Sequence, residues 1–106
     1  MLFSDWEKHN DADISASLLW EYDLNGFDWN DMQSVVVQRV IERGWMNDFY
    51  AAIRIYGGMD NFKNIVKRIP VLSDKDIHFV CSVFNLEKKE LRCCTRRRLR
   101  EKHLNS

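Results

Sequence analysis

"DWNDMQSVVVQRVIERG", residues 28–44, is the stretch whose reading decides the fold. Within it Met32, Val35, Val36, Val40 and Ile41 recur at intervals of three and four, the period that lays apolar side chains along one stripe of an α-helix. The punctuation agrees with the period. Asp28 stands where an N-cap carboxylate accepts backbone N–H groups, and Asp31 suits the positive end of the helix dipole. Arg39 and Arg43 suit the last turns. Gly44 offers a left-handed cap, onto which Trp45 is expected to fold back as in a Schellman motif.

Outward from this helix the same period returns in both directions. Downstream, "DFYAAIRIYGG" (48–58) puts Phe49, Ala52, Ile53 and Tyr56 on one face and stops at Gly57-Gly58. Asp60 is expected to cap "NFKNIVKRI" (61–69), where Phe62, Ile65, Val66 and Ile69 form the next stripe. Pro70 ends it, because a residue preceding proline avoids helical angles. Ser73 and Asp76 resemble a capping box ahead of "IHFVCSVF" (77–84), whose apolar face is Ile77, Val80, Cys81 and Phe84. Upstream, "ISASLLWEYD" (14–23) reads as a shorter helix carrying Ile14, Leu18, Leu19 and Tyr22, behind a loose acidic N-terminus over 1–12. Five helices on short loops predict an all-α fold, a compact bundle forming a single domain over 1–106.

Composition supports that class and excludes others. An apolar fraction of 45% beside 30% charged residues is globular rather than disordered. One proline and four glycines leave little material for a turn-rich β sandwich. The opening "MLFSDWEKHN" has neither a basic nor an apolar leader region, and the longest aliphatic run is Val35–Val37, so neither export nor a membrane span is expected. Three cysteines without a secretory signal suggest free thiols in a reducing cytoplasm. Net charge is zero but segregated. Residues 1–31 hold eight acids and one base, whereas residues 87–103 hold eight bases and three acids. Such polarity bears on partners and orientation, not on fold.

The period fails in the tail, "ELRCCTRRRLREKHLNS" (90–106). A short helical turn is expected over "EKKELR" (87–92), followed by a basic, partly irregular C-terminal arm over 93–106. Its expected anchors are Leu91, one of Cys93 and Cys94, and Leu99. His78, Cys81, Cys93, Cys94 and His103 are suitable zinc ligands by type, but their spacing lacks the paired knuckles of a structural zinc site. A disulfide between the adjacent Cys93 and Cys94 would close a strained ring. No nucleophile elbow, Gly-rich phosphate loop or paired catalytic acids occur, so no catalytic, metal or cofactor-binding residues are assigned and an enzyme is not expected.

Binding is the stronger expectation. Arg92, Arg96, Arg97, Arg98, Arg100 and Lys102 are the candidate contacts of the arm, whether to a partner protein or to DNA. Five neutralised phosphates would give a log–log salt slope of about −4.5. The helix pair 47–56 and 60–69 has helix-turn-helix proportions and turns Asn61, Lys63, Asn64, Lys67 and Arg68 outward, but Lys63 falls where such motifs bury an aliphatic residue. Trp20, Phe27, Trp29 and Trp45 exceed what a five-helix core of this length needs. Most should be loop staples, and Trp20, Trp29 and Trp45 are the candidates for a protein-binding patch.

"LLWEYDLNGFDWNDMQSVVVQRVIERGWMNDFYAAIRIYG" (18–57) resembles a family of small, functionally uncharacterised, all-helical bacterial proteins, a domain of unknown function. Matching features are Leu19-Trp20 with Asp23, then Val40-Ile41-Glu42-Arg43-Gly44 with Asp48, then Tyr56-Gly57. The segment "VLSDKDIHFVCSVFNL" (71–86) and the tail, through Cys93 or Cys94 and Thr95, are similar as well. The chain departs from the pattern at Glu21, Tyr22 and Leu104. Members of that family are often encoded beside nucleotidyltransferase toxins of the abortive-infection type. The resemblance therefore implies an antitoxin or accessory partner of such a toxin, and it carries over no catalytic residue. The leading expectation is a non-enzymatic, cytoplasmic protein-binding domain. A nucleic-acid-binding regulator using the basic arm is the alternative, and a domain whose charges serve solubility and homo-oligomer contacts is a third reading.

Overall fold

The structure, a computed structural model, describes residues 3–94. Among these the chain forms α1 (Gln33–Arg43), α2 (Met46–Ile55), α3 (Met59–Arg68) and α4 (Asp74–Phe84). Three 3-10 turns accompany them, at Trp6–Lys8, Ala16–Leu19 and Lys88–Glu90. All five expected helical segments are present in order, the first of them as the Ala16–Leu19 turn, and the fold is an all-α bundle. No described helix is long and apolar enough to cross a membrane.

α1 is the central element, in contact with the Ala16–Leu19 turn and with α2, α3 and α4. Being enclosed from several directions, it buries Val36, Val37, Val40 and Ile41, while Val35 is only partly covered. The expected stripe is thus rotated: Val37 joins the core in place of Val35, because one helix face cannot serve four neighbours. On α2, α3 and α4 the expected apolar faces are inward, apart from Cys81, which is half-buried against the core. Phe62 and Phe84 are fully buried, and truncating either to alanine should cost about 3–5 kcal/mol.

The helix ends show local chemistry at work. Asp28 Oδ1 accepts the N–H groups of Asn30 and Asp31, both at 3.1 Å, and its carbonyl accepts from Met32. Asp28 therefore caps a turn that leads into α1, and the regular helix begins at Gln33. Gly44 corrects the expectation of a left-handed cap: its backbone is extended, at φ −76° and ψ 156°. Its N–H donates to the Val40 carbonyl at 2.8 Å, and a Cβ there would sit 2.5 Å from that same oxygen. Size, not handedness, selects glycine at this corner. Trp45 accordingly does not fold back; it turns into solvent and begins α2.

The left-handed cap occurs one helix later. Gly57, at φ 87°, donates to Arg54, and Gly58 donates to the Ile53 carbonyl at 2.8 Å, closing a Schellman-type end of α2. Because Gly58 is the residue that enters α3, Asp60 lies within the first turn and is not the cap. Ser73 Oγ accepts the Asp76 N–H at 3.2 Å and donates to its carboxylate at 2.9 Å, so this cap is as expected.

Residues 3–12 differ from the loose segment expected over 1–12. Phe3 is buried, stacked on Phe49 at 4.8 Å between ring centroids and edge-on to Tyr50 at 5.4 Å. The Trp6–Lys8 turn packs on α2, and the Arg54 guanidinium takes the carbonyls of Asn10 and Ala12. Irregular backbone carries no hydrophobic period, so one aromatic anchor and a chain of polar contacts hold a strap that patterning does not reveal. At the other end Leu86, Leu91 and Cys93 are buried. Cys93 points inward and Cys94 is partly exposed, on backbone that is helical at 92–94 and not extended.

Candidate functional site

The corner between α1 and α2 is built on two charged side chains. Asp48 is 1% exposed; its Oδ1 accepts the Ser15 N–H at 2.7 Å and its Oδ2 accepts the Trp45 N–H at 2.8 Å. Arg39 Nη1 lies 2.6 Å from Glu21 Oε1 and donates to the Leu18 carbonyl at 3.0 Å. The Glu21 carboxylate beside it pushes the Arg39 pKa above its usual value. Segment 15–21 is thereby tied at one end to the start of α2 and at the other to the middle of α1. Both ties are partly or wholly removed from water, where charge-assisted hydrogen bonds count for more than on an open surface.

Two tryptophans project from the tied segments. Trp20 is 73% exposed and Trp45 is 80% exposed, with Met46 beside Trp45 also in solvent. Trp29, the third expected member of a patch, is elsewhere: it is half-buried, edge-on to Phe27 at 4.8 Å, and its carbonyl accepts the Tyr56 hydroxyl at 2.8 Å. Trp29 is a staple. Burial around Tyr56 pushes its hydroxyl up to about 12.

Of the basic-arm candidates, Arg92 is exposed. Arg96, Arg97, Arg98, Arg100 and Lys102 lie outside the described residues, as do Leu99 and His103. The acidic N-terminal third finds part of its compensation in the middle of the chain. Glu21 pairs with Arg39, and Asp13 lies 3.4 Å from Arg54. Cys81, Cys93 and Cys94 are not joined in a disulfide. Burial, aided by Cys94, raises the Cys81 pKa and keeps it a protonated, weak nucleophile.

A second polar cluster joins the N-terminal strap to α2. Asp5 accepts the Tyr50 hydroxyl at 2.9 Å and lies 3.2 Å from His9 Nε2, while the His9 ring stacks on Tyr50 at 3.8 Å. His9 and then Tyr50 hold the Asp5 carboxyl below its usual value; desolvation and then Asp5 raise Tyr50.

A cleft of about 430 Å³ opens between the approach to α1, the α2–α3 turn and the outer face of α3. Four carboxamides line it, Asn30, Gln33, Asn61 and Asn64, together with Arg68. The outward positions of Asn61, Asn64 and Arg68 were legible from the α3 period. Asn30 and Gln33 were not, since their signal was absorbed by the Asp28 capping pattern and only the tertiary fold brings them opposite α3.

These features define a small all-α domain with a locked, tryptophan-bearing corner and a polar cleft. The chain matches the model of DUF6922, a family of unknown function, over residues 14–66, half of its length, and it belongs to that family. No curated protein and no solved structure matches it. The matched span contains Asp48 and both its partners, the Arg39–Glu21 pair, the two exposed tryptophans and all the cleft carboxamides. The Phe3–Asp13 strap and α4 fall outside it.

Proposed function

We propose that this domain is a cytoplasmic, non-enzymatic protein-binding module that docks its partner on Trp20 and Trp45. The observation that carries the reading is the exposure of these two indoles, 73% and 80%, on backbone fixed by Asp48 and Arg39. Tryptophan is the residue most enriched among energetically dominant interface contacts, and a fixed backbone lowers the ordering cost of binding. The resemblance of residues 18–57 supports a specific partner class, a nucleotidyltransferase toxin encoded nearby, with this chain as antitoxin or accessory subunit. Co-expression tests it: the two proteins should co-purify and toxicity should fall, and Trp20→Ala with Trp45→Ala should abolish both effects. Full toxicity without co-purification overturns the reading.

Nucleic-acid binding through the basic arm is the second reading. In its favour, Arg92, where the run begins, is exposed, and residues 96–102 add five bases. A mobility-shift titration should show binding that weakens with salt and is lost on changing Arg96, Arg97 and Arg98 to Ala. Absence of binding at low salt excludes it.

A further inference from the structure

The carboxamide cleft shares no lining residue with the tryptophan corner. The side chains of Asn30, Gln33, Asn61 and Asn64 make no hydrogen bond among the described residues; where Asn30 and Asn64 bond, they do so through backbone atoms. Each carboxamide offers two donors and an acceptor oxygen, so the four present a mixed donor–acceptor wall. No carboxylate lines the cleft, which leaves a cation without a partner. One guanidinium does, and Arg68 Nε is already tied to the Asn64 carbonyl at 3.2 Å, leaving its outer nitrogens for a single small anionic group.

The remaining walls are apolar. Ile55, 39% exposed, offers a face for a flat ring, with Ile65 and the Tyr56 ring behind it. The Tyr56 hydroxyl donates its proton to the Trp29 carbonyl at 2.8 Å and so adds no free donor. Gly57 keeps the entrance bare: a Cβ there would lie 2.9 Å from Asn61 Nδ2, constraining the side chain that would have to reach the ligand. The volume, about 430 Å³, falls in the ~300–1,000 Å³ range of small-ligand sites. A flat, neutral ring with donors and acceptors along its edge, joined to one phosphate, meets all these conditions. Asn and Gln read such edges by paired hydrogen bonds, and unpaired bases are recognised in the same way.

We infer that this cleft binds a nucleobase, its edge read by Asn30, Gln33, Asn61 and Asn64 and the adjoining phosphate met by Arg68. The base can come from a free nucleoside monophosphate or from single-stranded nucleic acid, and the experiment separates them. The full chain, labelled with ¹⁵N, is titrated with each of the four ribonucleoside monophosphates and with single-stranded tetranucleotides. Ribose 5-phosphate, inorganic phosphate and a capped dipeptide serve as controls. The side-chain amide resonances of Asn61 and Asn64 should move saturably with at least one nucleotide or oligonucleotide and not with the controls. Response to tetranucleotides alone assigns the source as a strand; response to monophosphates assigns it as the free nucleotide. Asn64→Ala and, separately, Gln33→Ala should each weaken binding roughly tenfold, the loss expected for one good hydrogen-bonding partner, with the backbone spectrum otherwise preserved. Trp20→Ala with Trp45→Ala should leave the titration unchanged, so failure of protein docking and failure of the cleft are read separately. No movement up to millimolar nucleotide, an equal response to ribose 5-phosphate or the dipeptide, or binding indifferent to both carboxamide variants overturns the inference.

Discussion

Asp48 joins Ser15 to Trp45: one carboxylate, almost wholly buried, accepts the first residue's N–H at 2.7 Å and the second's at 2.8 Å. The bond to Trp45 is the local one expected of an acid three positions into a helix. The bond to Ser15 is tertiary and pins the segment ahead of the Ala16–Leu19 turn. Among the described residues neither donor has another acceptor, and a hydrogen bond to a charged group contributes about 1.5–3 kcal/mol. Asp48→Ala should therefore destabilise the domain by about 3 kcal/mol in urea denaturation. Asp48→Asn should lose less, since the amide keeps one acceptor oxygen but turns its NH₂ toward a donor. Equal stability of Asp48→Ala and the parent would show that neither bond matters.

Gly44→Ala should destabilise, by about 1–3 kcal/mol, even though glycine-to-alanine changes at ordinary angles usually stabilise. The backbone angles at Gly44 suit any residue, so the penalty comes only from the Cβ meeting the Val40 carbonyl at 2.5 Å. Gly26→Ala is the contrast: open space surrounds it, but φ of +80° is unfavourable to a side chain, and its cost should be near 1 kcal/mol. Thermal melts of the two variants separate steric from conformational causes.

The fold was legible where period and punctuation coincide. Phe62, Ile65, Val66 and Ile69 read as a core face, and they are one. Period misled where surroundings decide, as with Val37 in the four-sided environment of α1. Phe3, Asp5, His9 and Arg54 could not be found at all, because a strap held by single tertiary contacts repeats nothing. The candidate site divides in the same way. Trp20 and Trp45 were visible as surplus aromatics, but nothing in sequence separates them from Trp29, whose fate depends on Phe27 and Tyr56. The carboxamide cleft needed the fold to set Asn30 and Gln33 against α3.

Trp20→Ala and Trp45→Ala should leave stability within about 0.5 kcal/mol of the parent, the usual range for exposed positions without special partners. Trp29→Ala should instead lower the melting temperature, since Trp29 packs against Phe27 and the core. A large loss at Trp20 or Trp45 would mean that these indoles support the fold, and the docking proposal would lose its footing.

Acid should loosen the strap through Asp5. Its carboxyl is held below the usual 3.8 by His9 and by the Tyr50 hydroxyl. A depressed carboxyl stabilises the fold above its unfolded value, and that contribution disappears as pH falls from near 3.8 through the folded value. Urea midpoints measured from pH 6 downward should therefore fall more steeply in the parent than in Asp5→Asn. Parallel acid limbs would remove Asp5 from the account.

Alkali acts on Tyr56 with the opposite sign. Burial raises its hydroxyl from 10.0 to about 12, so the folded state holds this proton more tightly than the unfolded state does. The resulting stability is fully present below pH 10 and is lost as pH rises through about 12. Tyr50, also raised, contributes in the same direction. Tyr56→Phe should cost about 1 kcal/mol at neutral pH, for the lost bond to the Trp29 carbonyl, and should make the alkaline limb shallower. An ultraviolet tyrosinate titration of the parent should show one phenol ionising near pH 12, together with unfolding. Ionisation of every tyrosine near pH 10 with the fold intact would show that Tyr56 is not sealed beneath Trp29.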